Sequence, residues 1–312
     1  MRAVILGGTG AIGGATAARL ASAGWQVAVT GRDPEAMPAA LTRAGLAFHP
    51  IDRADTAAIA GLVGTDTDLL VDLLAYRAAD VRALLPVLAD VGSPVLVSSR
   101  AVYVDPAGRH VNTDDPPHFP GPVREDTPTV PPASDAVDPF TREGYAPAKA
   151  GAERAALDSG LPVTVLRPAK VHGRWARTAR TRPFVTAMAA GAERIELAAG
   201  HAVDQLTAAS NTAALIETVA ADPAARILNT ADPDTPNAAQ IVAAIGARLG
   251  WHGTLDLLAP CSDGDPDRGH NPWRSAHPFV LDTSAAIELG YQPVGTTLDL
   301  LVEEVDWVRA GG

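Results

Sequence analysis

Six short runs of apolar, largely β-branched residues punctuate the first half of the chain. They are RAVILG (Arg2–Gly7), WQVAVT (Trp25–Thr30), LAFHPI (Leu46–Ile51), DLLVDLLA (Asp68–Ala75), PVLVSS (Pro94–Ser99) and PVTVLRP (Pro162–Pro168). Such near-continuous runs suit strands buried on both faces. Between them, amphipathic stretches near 11–23, 34–44, 55–63, 78–91 and 144–158 predict helices. Strand and helix in regular alternation imply parallel pairing with right-handed crossovers. The expected fold is therefore α/β, a doubly wound parallel sheet with helices on both faces.

The rhythm breaks between Val104 and Arg142, where nine prolines and several acids fall. A loop this long inside a compact domain is usually a lid, a binding loop or disordered. After Pro168 the pattern is less regular, with helices near 177–190, 210–221, 237–250 and 297–310 and a strand near Arg226–Asn229. This predicts a dinucleotide-binding domain over 1–167, with 104–142 inserted, and a smaller C-terminal α/β substrate-binding domain over 168–312. Part of 203–230 is expected to return to the first sheet.

Composition narrows the function classes. With 312 residues and 47% hydrophobic content the chain can bury a large core. A net charge of −11 argues against nucleic acid or an anionic membrane surface as a partner. No apolar run approaches the roughly 18 residues of a spanning helix, and MRAVILGGTG is too short in its apolar part for a signal peptide. One cysteine, Cys261, rules out an internal disulfide, so the expected location is the cytoplasm. Arginine replaces lysine almost everywhere, a bacterial, GC-biased coding style. The eight histidines show no metal-binding spacing. Asp263, Asp265 and Asp267 alternate like the start of a calcium loop, but Arg268 stands where glycine is needed and Arg274 where the twelfth-position Glu belongs. That segment is read as an exposed loop, and no metal is expected.

The candidate chemistry lies at strand ends. GGTGAIGG (Gly7–Gly14) joins the first strand to the first helix, with Gly7, Gly10 and Gly13 spaced G-x-x-G-x-x-G. Glycine there allows a tight turn and close backbone approach to a pyrophosphate on the helix N-terminus, as in a Rossmann sheet. Thr9, Ala11 and Ile12 share that turn. After the second strand come Gly31 and Arg32 rather than a carboxylate; a guanidinium suits a 2′-phosphate, which favours NADP with NAD as the alternative. A solvated Arg in a GRDP turn remains the plainer reading. Asp52 is placed to accept from the adenine amino group, or else to cap the next helix; Arg53 follows it. Tyr145 and Lys149, one of only two lysines, stand four apart on one helix face, so the ammonium can lower the phenol's pKa toward neutrality. Pro147 between them is tolerable only in the first helical turn. Ser98 and Ser99 end the fifth strand, where a hydroxyl can polarise a carbonyl.

GGTGAIGG, VLVSSRAVYV, YAPAK, VLRPAKVHG and the terminal FVLDTSAAIELGYQPVGTTLDLLVEEVDWV together resemble the extended short-chain dehydrogenase/reductase family, the epimerase/dehydratase-like branch. The resemblance implies Tyr145 as acid/base and Lys149 as its pKa modulator and a ribose ligand. Its S-x-x-V-Y pattern falls on Ser99 to Tyr103, which makes Ser99 the catalytic hydroxyl. Leu74 and Ala75 become the backbone passing the cofactor, with Pro168 beside it, and dimerisation through the helices near 78–91 and 144–158 is a family habit.

Departures bear on the substrate. Arg100 and Ala101 stand where the sugar-nucleotide dehydratases of the family carry an acid and base, so dehydration is set aside. His172–Gly173 replaces the usual Tyr-Gly, and AASNTAA replaces the family's acidic element. Tyr76, Arg100, Lys170, His172, Arg174 and Arg177 are the candidate substrate contacts. Arg174, Arg177 and Arg180 at i, i+3 and i+6 could face an anionic diphosphate or carboxylate, or simply solvent. The reading is an NADP-dependent oxidoreductase of a small carbonyl, alcohol or imine substrate. Its rivals are a nucleotide-sugar epimerase with bound cofactor and a non-catalytic NADP-sensing protein.

Overall fold

A computed structural model describes residues 1–259 and 268–312. Cys261 and the Asp263, Asp265 and Asp267 alternation lie outside the described residues. The chain runs β1 (Arg2–Leu6), α1 (Ala11–Ser22), β2 (Gln26–Gly31), α2 (Ala39–Arg43), β3 (Ala47–Pro50), α3 (Thr56–Val63), β4 (Leu69–Asp72), α4 (Ala78–Leu88), β5 (Ser93–Val97), α5 (Arg142–Leu157) and β6 (Thr164–Pro168). It continues through β7 (Lys170–His172), α6 (Arg182–Ala189), β8 (Arg194–Ala198), β9 (Leu206–Ala208), α7 (Ala209–Ala220), β10 (Arg226–Thr230), α8 (Ala238–Leu249), β11 (Thr254–Leu258), α9 (Ser284–Glu288) and α10 (Thr297–Arg309).

The main sheet has seven strands in the order β3-β2-β1-β4-β5-β6-β10, all parallel. This is the doubly wound α/β fold that the strand–helix alternation predicts. Alternate residues of β1 feed opposite faces: Ala3 and Ile5 pack with Leu20, Leu215 and Ile216, while Val4 and Leu6 pack with Leu84 and Val165. Both faces are thereby apolar, which is why the strands read as unbroken hydrophobic runs. β10 returns to pair with β6 after β7, β8 and β9 have left the sheet. Two further parallel pairs, β8 with β11 and β7 with β9, were not legible in the sequence.

Proline accounts for two differences. The helix expected over 34–44 is a single 3-10 turn at Pro34–Ala36 and then α2, interrupted at Met37 because Pro38 disfavours helical backbone before it. The helix expected at 177–190 starts only at Arg182, with Pro183 in its first turn. The third proline goes the other way. α5 begins at Arg142, capped by the Thr141 hydroxyl accepting from Gly144 N at 3.0 Å, so Pro147 sits in the second turn rather than the first.

The proline-rich 104–142 segment is an ordered excursion held at its far points. Val104 N donates to Pro128 O, Val130 N to Val102 O, Val123 N to Val280 O, and Ala133 N to Pro147 O in α5. Phe119 and Val123 join Tyr103, Phe279 and Leu281 in a separate small core.

Candidate active site

At the carboxyl end of β1 the backbone folds into an open cradle. Gly7 has a φ of +85°, and a Cβ on Gly13 would lie 2.6 Å from Gly7 O and Gly8 Cα, so helix and turn pack backbone to backbone. Gly10 is the N-cap of α1, with no side-chain cap, and a Cβ there would meet nothing within 4 Å. The start of α1 is therefore uncapped by a side chain and open beside Gly10, an arrangement that suits a pyrophosphate. Thr9 lies in this turn, its methyl near Gly31, and Leu74 packs against Gly7. Arg32 is exposed after β2. Asp52, also exposed, accepts from Ala54 N at 2.9 Å; Asp55, not Asp52, caps α3.

Arg53 does not reach out to this cradle. Its Nε and Nη2 donate to Asp72 Oδ2 at 3.0 and 2.8 Å, and Nη2 also to Asp80 O at 2.7 Å. Asp72 in turn accepts the N–H groups of Leu74 and Ala75 on Oδ1, which ends β4 and bends the backbone outward. Sequence reasoning missed Asp72; the signal was an acid inside the apolar run DLLVDLLA. Ala75 O then receives Lys149 Nζ at 2.8 Å, and Val97 O receives it at 3.0 Å. Lys149 is fully enclosed, and burial lowers its pKa to about 8 against the opposing pull of Asp72, Glu153 and Asp80.

Ser99, Tyr145 and Lys149 come together on the wall of one cavity of about 400 Å³, alongside Ile12, Tyr76, Arg100, Pro168 and Lys170. The Ser99 hydroxyl lies near enough to the Tyr145 phenol to act on its pKa, and it accepts from Ala101 N at 3.1 Å. The two serines of the pair separate by role. Ser98 donates to the buried Glu153, which is also bound by Arg167 Nη2 at 2.6 Å. The expected effect of Lys149 on the phenol needs correction: burial pushes the Tyr145 pKa up, and the counteracting influence is the Ser99 hydroxyl. The ammonium is drawn instead to two carbonyl oxygens and lies 4.6 Å from the centre of the Tyr76 ring, while that ring meets Tyr145 edge-on at 6.4 Å.

Other residues of the same lining are cationic. Arg100 and Lys170 both pair with Asp204, and Lys170 Nζ also donates to Pro272 O at 2.8 Å. Arg180 lines the same cavity, and from the long excursion Val111 reaches it. Arg174 and Arg177 are exposed and line no part of the cavity, because the 173–181 segment is a series of turns rather than the helix that would have aligned the three arginines. His172 is buried with Nε2 2.9 Å from Asp232 Oδ2, tied into the fold instead of facing the cavity. Asp204 and Val111 gave no sequence signal of this role. Among the described residues no group of three or more His, Cys, Asp or Glu side chains could hold a metal ion, and no helix is long and apolar enough to cross a membrane.

Comparison with known proteins fits this geometry. Residues 3–92 match the model of the NAD dependent epimerase/dehydratase family. A search of curated proteins found no match by sequence. Among solved structures, a UDP-glucuronic acid 4-epimerase from Bacillus cereus, in complex with UDP-glucuronic acid and NAD, is 17% identical, with 100% of each chain covered and a TM-score of 0.72. A dTDP-glucose 4,6-dehydratase from Bacillus anthracis, in complex with NAD, is 17% identical over 99% of this chain and 97% of that one, at a TM-score of 0.72. A dTDP-glucose 4,6-dehydratase from Streptomyces venezuelae is 21% identical over 99% and 97%, at 0.71. At these identities the likeness concerns the fold. Residues 3–92 are thus similar to the NAD dependent epimerase/dehydratase family, and the rest of the chain shares its fold with the solved structures above.

Proposed function

We propose that this chain is an NAD(P)-dependent oxidoreductase that works on a carbonyl or alcohol carbon of a small-molecule substrate, with Tyr145 as the acid/base. The observation that carries this reading is the meeting of Ser99, Tyr145 and Lys149 in the lining of one cavity. When bound, the dinucleotide supplies or accepts the hydride. The cradle of Gly7, Gly10 and Gly13 would hold its pyrophosphate, and Tyr145 and Lys149 its nicotinamide ribose. Burial keeps Tyr145 a phenol at neutral pH, so it is charged with a proton to give to a carbonyl oxygen. Ser99 Oγ accepts from Ala101 N, which holds the hydroxyl beside Tyr145, where it would share its hydrogen between the phenol and the substrate oxygen. Lys149, held near 8, can exchange a proton close to neutrality. Arg32, exposed after β2 with no acid in the ribose position, supports NADP; NAD is the cofactor of the family name and of the neighbouring complexes.

A second reading, epimerisation of a nucleotide sugar through the same three residues, is favoured by the full-length likeness to the UDP-glucuronic acid 4-epimerase. The two separate on cofactor turnover. With NADPH or NADH and a panel of carbonyl compounds and nucleotide sugars, the oxidoreductase consumes reduced cofactor. The epimerase converts substrate with no net absorbance change. In either case Tyr145→Phe is expected to lower turnover by about 10²–10⁴ while cofactor affinity stays within about threefold. Unchanged turnover in that variant would overturn the assignment of Tyr145.

A further inference from the structure

Taking Ser99 and Tyr145 as the reacting end of the cavity, a reading on which this step depends, we propose that the substrate carries a carboxylate close to its reacting carbon. Arg180, with Arg100 and Lys170, forms the subsite that binds it.

Charge is unbalanced in that subsite. Arg100 pairs with Asp204 Oδ1 and Lys170 with Asp204 Oδ2, so a single buried carboxylate serves two cations. Arg180 has no ion pair among the described residues; Nη1 donates to Val171 O at 3.0 Å. Burial and the nearby Arg100 both work against its charge, while Glu304 and Asp204 favour it from a distance. Glu304 is already engaged, accepting from Gly173 N at 2.9 Å and from Thr181 N and Oγ1 at 3.2 and 2.7 Å. Lys149, the fourth cation of the lining, is held by Ala75 O and Val97 O, and the acids nearest it, Asp72 and Glu153, pair with Arg53 and Arg167. Around Arg180, three cations meet Asp204 directly and Glu304 only at longer range, so positive charge is in excess beside the cavity.

A partly desolvated guanidinium without a counter-ion is unfavourable, and a ligand anion offsets the imbalance. The planar fork of Arg180 suits two-point pairing with a carboxylate. The anion also lies near the chemistry, because Arg100 follows Ser99 directly and both line the cavity.

The test is calorimetric titration at low ionic strength, with and without bound cofactor. The probes are D-glucuronate and pyruvate, their neutral counterparts D-glucose and acetone, and D-glucose 6-phosphate. At least one carboxylate is expected to bind about tenfold or more tighter than its neutral counterpart, and tighter than the phosphate. Arg180→Gln is expected to erase that preference and Arg180→Lys to keep part of it, both with wild-type cofactor affinity and melting temperature. Absence of any carboxylate preference, a preference for the phosphate, or a preference that survives Arg180→Gln would each refute the subsite. Failure of the wild-type protein to bind either dinucleotide counts instead against hydride transfer, and the titrations without cofactor still decide on the carboxylate.

Discussion

Lys149 carries a charge through an interior that disfavours it. Its ammonium has two carbonyl oxygens and no carboxylate in direct contact, and burial takes its pKa from 10.5 to about 8. At about pH 7 the folded and unfolded chains both hold this proton, so the cost of burying the charge is felt in full. As pH rises from about 8 toward 10.5 the folded chain gives the proton up first. The unfolded state then binds more protons, and stability rises with pH. Lys149→Met removes the effect. Relative to that variant, the wild type is expected to gain about 1–3 kcal/mol of unfolding free energy between about pH 7 and pH 10, read from urea unfolding. Tyr103, with its pKa raised by burial to about 12, loses stability only above the ordinary tyrosine range and is shared by both proteins. A constant gap between the two across the interval would mean that the ammonium is not desolvated. Residues of this kind were legible because chemistry marks them locally: Tyr145 and Lys149 share a helix face and Ser99 ends a strand. Asp204 was not, and Arg180 was legible only as one of three arginines, of which it alone lines the cavity. What makes Arg180 stand out is the absence of an ion pair, and partners distant in sequence leave no trace in local spacing.

The β1–turn–α1 unit is the element whose sequence and geometry agree most closely, since a glycine spacing is a local statement about backbone approach. Two glycines in it have separable roles. An Ala at Gly13 places a Cβ 2.6 Å from the Gly7 carbonyl oxygen and the Gly8 Cα, so backbone must move; Gly13→Ala is expected to cost about 1–3 kcal/mol of stability and to weaken cofactor binding as well. An Ala at Gly10 meets nothing in the free protein and gives up only a better N-cap, less than about 1 kcal/mol. It does intrude where the pyrophosphate would lie. Gly10→Ala should therefore keep its melting temperature within a few degrees yet lose about tenfold or more in dinucleotide affinity by fluorescence titration. Equal effects of the two changes on stability, or no effect of Gly10→Ala on binding, would remove the cradle from the cofactor site. Other elements resisted reading for a definite reason. The 104–142 excursion looks structureless because its order comes from distant partners, such as Val280 for Val123 and Pro147 for Ala133. The helix expected at 177–190 failed on its N-terminal side, where Gly173, Thr181 and the turns between them are satisfied from the far end of the chain.

That far end is α10, and Glu304 on it ties the molecule together. Its carboxylate is buried and accepts from Gly173 N and from Thr181 N and Oγ1, residues 131 and 123 positions away. The segment it grips leads from β7, at the cavity wall, to α6, and carries Arg180. No helix or ladder satisfies those N–H groups; the carboxylate does, so the position of Arg180 depends on the C-terminal helix. In Glu304→Gln one oxygen remains to accept and the other becomes an NH₂ donor facing the Gly173 or Thr181 N–H. Two donors then confront each other in the interior, at a cost of about 1–3 kcal/mol. The melting temperature is expected to fall by several degrees. The carboxylate preference of the cavity should weaken as the 173–181 segment loosens, and by more than dinucleotide affinity, which that segment touches only through Trp175 packed against Gly14. Calorimetric melting together with the same titrations separates local from global effects. If the variant loses dinucleotide binding in proportion to carboxylate binding, Glu304 supports the fold as a whole. If stability falls and the preference is untouched, Arg180 is held by its own surroundings and the C-terminal helix has no part in shaping the site.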